Sequence, residues 1–297
     1  MRLARILFAL GALVAVPSVA FGDNADAFYK QGLAFKQQGK SDDAIAALEK
    51  AVAANPRHGM AWSSLGNLYK AKGDLPKAVN AYEKATAVIT KDKVLWANLG
   101  MAYYRNKQVD QALKALETAK RLAPNDAEIR ANLGTIKRQK GDLPGAIADL
   151  EAATKAKPDE AQHWNNLGVA YRTAKRDDDA IKAYTKAVQL SPNDANFHFN
   201  LAVSYRRKEL VTEAIGEYEK ATGLDPSNAE AWFDLGFMYK TDHQNDKAIG
   251  AFSKYLELNK GKDAAGEARI KDEVTALGGK PDAKKPAAKK PAPKKKK

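Results

Sequence analysis

The chain has 297 residues, of which 44% are hydrophobic and 29% charged, and carries a formal net charge of +13. It contains no cysteine, which excludes disulfide staples, a thiolate nucleophile and any lipid attached through sulfur. The positive excess sits mainly at the C-terminal end, so it does not make the whole chain a nucleic-acid-binding surface.

At the N-terminal end, Arg2 and Arg5 precede the apolar run Ile6 to Val16, and the small residues Ser18, Ala20 and Gly22 follow. This is the three-part layout of a secretory signal peptide over residues 1–22, with cleavage after Ala20 or Gly22. The run is shorter than the roughly 20 apolar residues of a comfortable transmembrane helix. The expectation is an exported protein, periplasmic or extracellular in a bacterium, with an uncleaved anchor as the alternative.

From residue 25 the chain keeps one period. Trp62, Trp96, Trp164 and Trp232 are spaced by 34, 68 and 68 residues. Ala44, Ala78, Ala112, Ala146, Ala180, Ala214 and Ala248 keep the same register, as do Gly32, Gly66, Gly100, Gly134, Gly168 and Gly236, with Ala202 in the one gap. Tyr69, Tyr103, Tyr171, Tyr205 and Tyr239 form another series. A fixed period of this length marks a stack of two-helix units.

Numbered from Ala25, Gly59, Lys93, Ala127, Ala161, Ala195 and Ala229, the units share an aromatic at position 4 and Leu-Gly at 7 and 8. Tyr follows at 11, Ala at 20, a large residue at 24, Ala at 27 and Pro at 32. Gly39, Gly73 and Gly141 fall at position 15, where a left-handed residue ends a first helix. Pro56, Pro124, Pro158, Pro192 and Pro226 end the second helices. Small residues at 8, 20 and 27 allow close approach and larger ones at 4, 7, 11 and 24 fill between, so these series are read as packing.

This pattern resembles the tetratricopeptide repeat, in seven copies without insertion or deletion over residues 25–262. The copies are 25–58, 59–92, 93–126, 127–160, 161–194, 195–228 and 229–262. The resemblance implies an all-α fold, a right-handed superhelical α-solenoid of seven helix pairs. The last copy departs from the pattern with Tyr255 at position 27 and Lys260 at position 32. Ile270, Val274 and Leu277 then recur at helical spacing, so residues 263–279 are expected to form a C-terminal cap helix with a polar outer face.

On each first helix, positions 4, 7, 8 and 11 share one side and positions 2, 6, 9 and 13 lie opposite. In tetratricopeptide folds the second side lines a concave groove where ligands bind. Position 6 is Asn98, Asn132, Asn166 and Asn200, then Asp234. Such a row can donate to and accept from the backbone of an extended peptide. It resembles the asparagine ladder in the repeat domain of O-linked N-acetylglucosamine transferase, although Asn is also the family's habitual residue here, and both readings stay open.

Position 12 carries Lys36, Lys70, Tyr104, Arg138, Arg172, Arg206 and Lys240, either an attraction for an acidic partner or a solvated cationic edge. Phe199, Phe233 and Phe237 lie off the packing stripe, as anchors for a partner's side chain or as surface covered by the cap helix. The carboxylate clamp known in this family is absent. Of its Lys-Asn, Asn, Lys-Arg pattern only Asn67 and Asn98 match, and Glu128 has the wrong sign.

Catalytic chemistry has no foothold in the sequence. His58, His163, His198 and His243 sit at different repeat positions, and no metal-binding His pair, nucleophile elbow or phosphate loop occurs. No enzyme activity, metal or cofactor is expected.

Residues 280–297 read KPDAKKPAAKKPAPKKKK, with nine lysines against one aspartate, and so supply +8 of the net charge. The segment is expected to be a disordered basic tail, with Lys284, Lys285, Lys289, Lys290, Lys294, Lys295, Lys296 and Lys297 as polyanion contacts. The leading expectation is a non-catalytic scaffold in the bacterial envelope, binding a protein or peptide segment, preferably acidic. The alternative is an envelope-tethering protein that holds an anionic polymer or lipid phosphate through the tail. Nucleic acid is the least favoured partner because of the leader.

Overall fold

The structure, a computed structural model, describes residues 19–281. Most of the leader and the lysines from Lys284 to Lys297 lie outside the described residues. Among the described residues the chain forms fifteen helices and no strand. The first eight are α1 (Val19–Gln37), α2 (Ser41–Ala54), α3 (Gly59–Lys72), α4 (Leu75–Val88), α5 (Lys93–Arg105), α6 (Val109–Leu122), α7 (Ala127–Lys140) and α8 (Leu143–Ala156). There follow α9 (Ala161–Thr173), α10 (Asp177–Leu190), α11 (Ala195–Arg207), α12 (Val211–Leu224), α13 (Ala229–Thr241), α14 (Asn245–Asn259) and α15 (Ala264–Ala276).

The first helices after α1 begin at position 1 of each repeat, and the second helices begin at position 17 of every copy, from Ser41 to Asn245. The all-α solenoid expected from the repeat is the fold observed. The chain divides into two compact units, one ending at Ile136 and one beginning at Lys137, so that the boundary falls within α7.

The same local chemistry builds the pairs of both units. At position 8 the backbone of a first helix lies against the side chain at position 24. A Cβ added to Gly66 would sit 2.6 Å from the Tyr82 ring, and one on Gly168 would sit 2.7 Å from Tyr184. Leu48, Tyr82, Leu116, Leu150, Tyr184, Tyr218 and Phe252, the seven residues at position 24, are all fully buried. So are the alanines of position 20.

The turn inside each pair is a helix C-cap of one type. The N–H of position 16 returns to the carbonyl of position 11 in all seven copies, at 2.8–3.0 Å, the six-to-one bond of a Schellman turn. That bond requires a left-handed residue at position 15. Gly39, Gly73 and Gly141 have φ of 74°, 80° and 91°, and Lys107, Lys175, Glu209 and His243 hold φ of 58–62° without the freedom of glycine.

The junction between pairs is closed by a side chain. Trp62, Trp96, Trp164 and Trp232 donate their indole N–H to the carbonyls of Pro56, Thr90, Pro158 and Pro226 at 2.8–3.0 Å. Where tryptophan is missing, Arg130 Nε donates to Pro124 O at 2.7 Å, and His198 Nε2 lies 2.9 Å from Pro192 O. All six junctions therefore carry an N–H donor at position 4 facing the carbonyl six residues earlier. It meets the carbonyl of the residue two positions beyond the end of the preceding second helix.

In the second unit α15 packs on α14. Asp263 caps it by accepting from Gly266 N at 3.0 Å, and Ile270 and Val274 are fully buried.

The four strained copies give a stability test. A non-glycine residue in the left-handed region costs roughly 1–2 kcal/mol, and glycine returns part of that through its looser unfolded state. Lys107→Gly, Glu209→Gly and His243→Gly should each stabilise by about 1 kcal/mol. Gly73→Ala should destabilise by a similar amount, although a Cβ there would meet nothing within 4 Å. Urea unfolding midpoints measure both, and destabilisation by the three glycine substitutions or stabilisation by Gly73→Ala would contradict the assignment.

Candidate functional site

Most of the residues singled out for recognition are half-buried, and several are bonded to one another. In the first unit, Asn98 on α5 accepts from Lys70 Nζ on α3 at 3.3 Å. Burial, and next the neighbouring Arg105, holds the Lys70 ammonium below the usual lysine range. Asn132 on α7 is half-buried, as is Tyr104 on α5.

In the second unit, Arg172 Nη1 on α9 donates to Asn200 Oδ1 on α11 at 3.2 Å, and Arg206 on α11 lies 3.4 Å from Asp234 on α13. These cation–acceptor pairs, like Lys70 and Asn98, are 28 residues apart, from position 12 of one copy to position 6 of the next. Asn200 Nδ2 donates in turn to Asn165 Oδ1 at 3.0 Å. Asn166 accepts from Gln162 at 2.9 Å. Asp234 is buried and also accepts the Tyr218 hydroxyl at 2.8 Å. Lys240 pairs with Glu273 of α15 at 2.5 Å. Arg138 on α7 is half-buried. The cationic flank thus reaches the position-6 row at three links, one in the first unit and two in the second.

The three phenylalanines form part of the second unit's core margin. Phe199 meets Tyr218 edge-on at 5.9 Å. Phe233 meets Phe237 edge-on at 4.9 Å and lies tilted against Tyr255 at 5.3 Å, and Phe237 meets Phe252 edge-on at 5.0 Å. The Arg269 guanidinium of α15 lies 5.9 Å from the Phe233 ring and 5.3 Å from Phe237. Half-buried rings covered in this way present less free surface than exposed anchors would.

A further set was not seen from sequence. The position-11 hydroxyls of Tyr69, Tyr103, Tyr171 and Tyr239 donate to Glu49, Glu83, Glu151 and Glu219 of the preceding copy. These glutamates all fall at position 25, in register, and that recurrence was the available signal. Burial first, and the carboxylate bond next, pushes the Tyr171 hydroxyl up to about 12 and raises Tyr69, Tyr103 and Tyr239 well above the usual tyrosine range.

Two concavities flank these residues. One, of about 400 Å³ in the first unit, is lined chiefly by Val52, Trp62, Leu65, Tyr69, Pro76 and Ala81. The other, of about 350 Å³ between α9 and α11, is cationic. Among the described residues no group of three or more His, Asp or Glu side chains is placed to hold a metal ion. Nor is any described helix long and apolar enough to cross a membrane.

A family model described as the cilia and flagella-associated protein 70 C-terminal domain matches residues 6–231, and a tetratricopeptide repeat model matches residues 217–250. The chain belongs to this tetratricopeptide repeat family. No curated protein matches it.

Solved tetratricopeptide structures share its fold. The C-terminal part of a repeat protein from Cytophaga hutchinsonii has a TM-score of 0.66 at 17% identity, over 80% of this chain and 97% of that one. YrrB, described as having an unusual peptide-binding site, has a TM-score of 0.56 at 19% identity, over 67% of this chain and all (100%) of its own. The Cut9–Hcn1 hetero-tetramer of the APC/C contains a chain at 26% identity and a TM-score of 0.56, over 74% of this chain and 44% of that one.

The repeat tyrosines predict an alkaline transition. Tyr82, Tyr171 and Tyr184 are raised from 10.0 to about 12, chiefly by burial. The folded tetratricopeptide array therefore favours the neutral hydroxyl. This contribution is fully present below pH 10 and is lost as pH climbs from about 10 to about 12. Helicity should fall over that window together with the appearance of tyrosinate absorbance. Tyrosinate forming with helicity intact would show that these hydroxyls are not held by the fold.

Proposed function

We propose that this tetratricopeptide protein is a non-catalytic interaction scaffold, exported to the bacterial envelope, that holds an extended segment of a partner protein along its first helices. The observation that carries the reading is the unused hydrogen-bonding capacity of the position-6 amides. Asn98 and Asn166 engage only their oxygens in the contacts described, which leaves their NH₂ groups able to donate to a peptide carbonyl. The half-buried Asn132 offers both donor and acceptor. These amides lie opposite the packing stripe, so a partner reaches them without disturbing the core. YrrB, whose fold this chain shares, is described as having a peptide-binding site, and this supports the class of partner.

Electrostatics favours acidic segments. Arg138, Arg172 and Arg206 stand on the same helices as Asn132, Asn166 and Asn200, and Lys70 stands on the first helix of the copy before Asn98. Fixed cations raise the local concentration of anionic partners. Asp234 is bonded to Tyr218 and Arg206 and serves the row structurally. Export rests on Arg2, Arg5, the run Ile6 to Val16 and the small residues after it.

A second reading has its own observation, the +8 charge of residues 280–297. A run of lysines attracts anionic wall polymer or lipid phosphate without any groove.

Two measurements separate these readings. Asn98→Ala, Asn132→Ala or Asn166→Ala should each weaken partner binding by about 0.5–1.5 kcal/mol, the net worth of a hydrogen bond, with helicity and melting unchanged. A well-folded variant carrying all three changes that still recovers its partner in full from envelope extracts would sink the groove reading. A chain ending at Gly279 should keep its protein partner and lose salt-sensitive binding to anionic vesicles. If the shortened chain binds vesicles as well as the full chain, the tail plays no such part.

A further inference from the structure

The cationic cleft of the second unit is lined by Arg172, Thr173, Lys175, Val203, Arg206 and Arg207. Two of its four cations are neutralised in place. Arg207 grips Asp177 through bonds of 2.8 and 3.2 Å, and Arg206 faces Asp234. Arg172 instead donates to the neutral amide of Asn200, and Lys175 is exposed at its left-handed turn. The cleft holds more positive charge than its own carboxylates balance. The helix macrodipole accounts for cations in a last turn, but it does not account for what lies beneath Arg172.

The Arg172 guanidinium sits 5.4 Å from the Tyr184 ring. Tyr184 is fully buried, and its hydroxyl has no hydrogen-bond partner. Such a group is rare in folded proteins and calls for an explanation. The next copy shows what is missing. Tyr218, the equivalent of Tyr184, donates to Asp234, which also faces Arg206, the equivalent of Arg172. In the Tyr184 copy the corresponding acceptor is Asn200. Its oxygen takes Arg172, and its amide is turned to donate to Asn165.

We propose that this cleft seats a carboxylate of the bound segment, and that the carboxylate draws Arg172 away from Asn200 so that Asn200 Oδ1 accepts the Tyr184 hydroxyl. The proposal rests on the reading of this face as a peptide-binding surface, and it names an acidic side chain as what the second unit selects. Arg172 exchanges a bond to a neutral amide for a charge-assisted one, which is stronger. Lys175 and Arg206 add charge at the rim. The buried hydroxyl gains the partner that its counterpart Tyr218 already has. Part of the affinity then comes from a bond completed inside the protein, away from the ligand.

The test titrates the full chain calorimetrically with a short oligoglutamate peptide and with an oligoglutamine of equal length. Oligoglutamate should bind at least about tenfold more tightly, as expected for a charge-assisted bond. Arg172→Gln should remove most of that preference, whereas Lys84→Gln, on the exposed surface of the first unit, should leave it. Tyr184→Phe should fold at least as stably, because it deletes an unsatisfied hydroxyl. It should nevertheless bind oligoglutamate about three- to tenfold more weakly, the worth of one hydrogen bond. Unchanged affinity in Tyr184→Phe, or equal losses in Arg172→Gln and Lys84→Gln, overturns the proposal. Equal binding of both peptides, unaffected by Arg172→Gln, overturns it while leaving the backbone-holding face intact. Failure of both peptides to bind removes the peptide-binding reading and this inference with it.

Discussion

Everything in these repeats follows from how closely the backbone of a first helix approaches its partner. At Gly66 and Gly168 a single methyl group would run into the rings of Tyr82 and Tyr184. That proximity buries the large residue at position 24 completely and fixes the distance between helices of a pair. With this spacing fixed, the other recurring contacts come within reach. The position-11 hydroxyl reaches a glutamate 20 residues back, and the position-12 cation reaches an acceptor 28 residues ahead. Ala202 shows that the limit is narrow but not absolute, since an alanine is accommodated there opposite Tyr218 with both fully buried.

The fold was legible because the period of 34 is written in tryptophan, alanine and glycine, residues whose size decides packing. Less legible was the chemistry inside that period. Glycine at position 15 announces a left-handed turn, whereas Lys107, Lys175, Glu209 and His243 adopt it under the force of their surroundings. The tryptophans read as bulk, yet Arg130 and His198 replace them, and what the three residue types share is an N–H. The amide row and the cationic flank each follow the repeat, but the bonds between them span 28 residues, a spacing that composition by position does not reveal. The division of the chain after Ile136 leaves no trace in the sequence, where the register runs through α7 without interruption.

Within the recognition face, charge is managed by the repeats themselves. At Asn98 and Asn200 the preceding cation, Lys70 or Arg172, meets a neutral amide and keeps its charge available. Where it is Asp234, Arg206 is countered and a tyrosine hydroxyl is satisfied at the same atom. One substitution in the repeat, Asn for Asp, therefore changes both the electrostatics of the face and the satisfaction of the core beneath it. A partner's acidic group would find different resistance at neighbouring copies even though the helices are superimposable in register.

The bond that closes each junction links residues six apart, and both of its ends recur once per repeat. If a whole copy were excised, a carbonyl from one repeat would meet a donor from another across an unchanged spacing. Indole, guanidinium and imidazole all serve that carbonyl, so the start of one such copy fits the end of any other. Phe28, at position 4 of the first copy, has no N–H and would leave an open seam if moved inside the array. The repeat behaves as a cassette with interchangeable seams, a chemistry under which gene duplication or loss changes the length of the array without requiring new contacts.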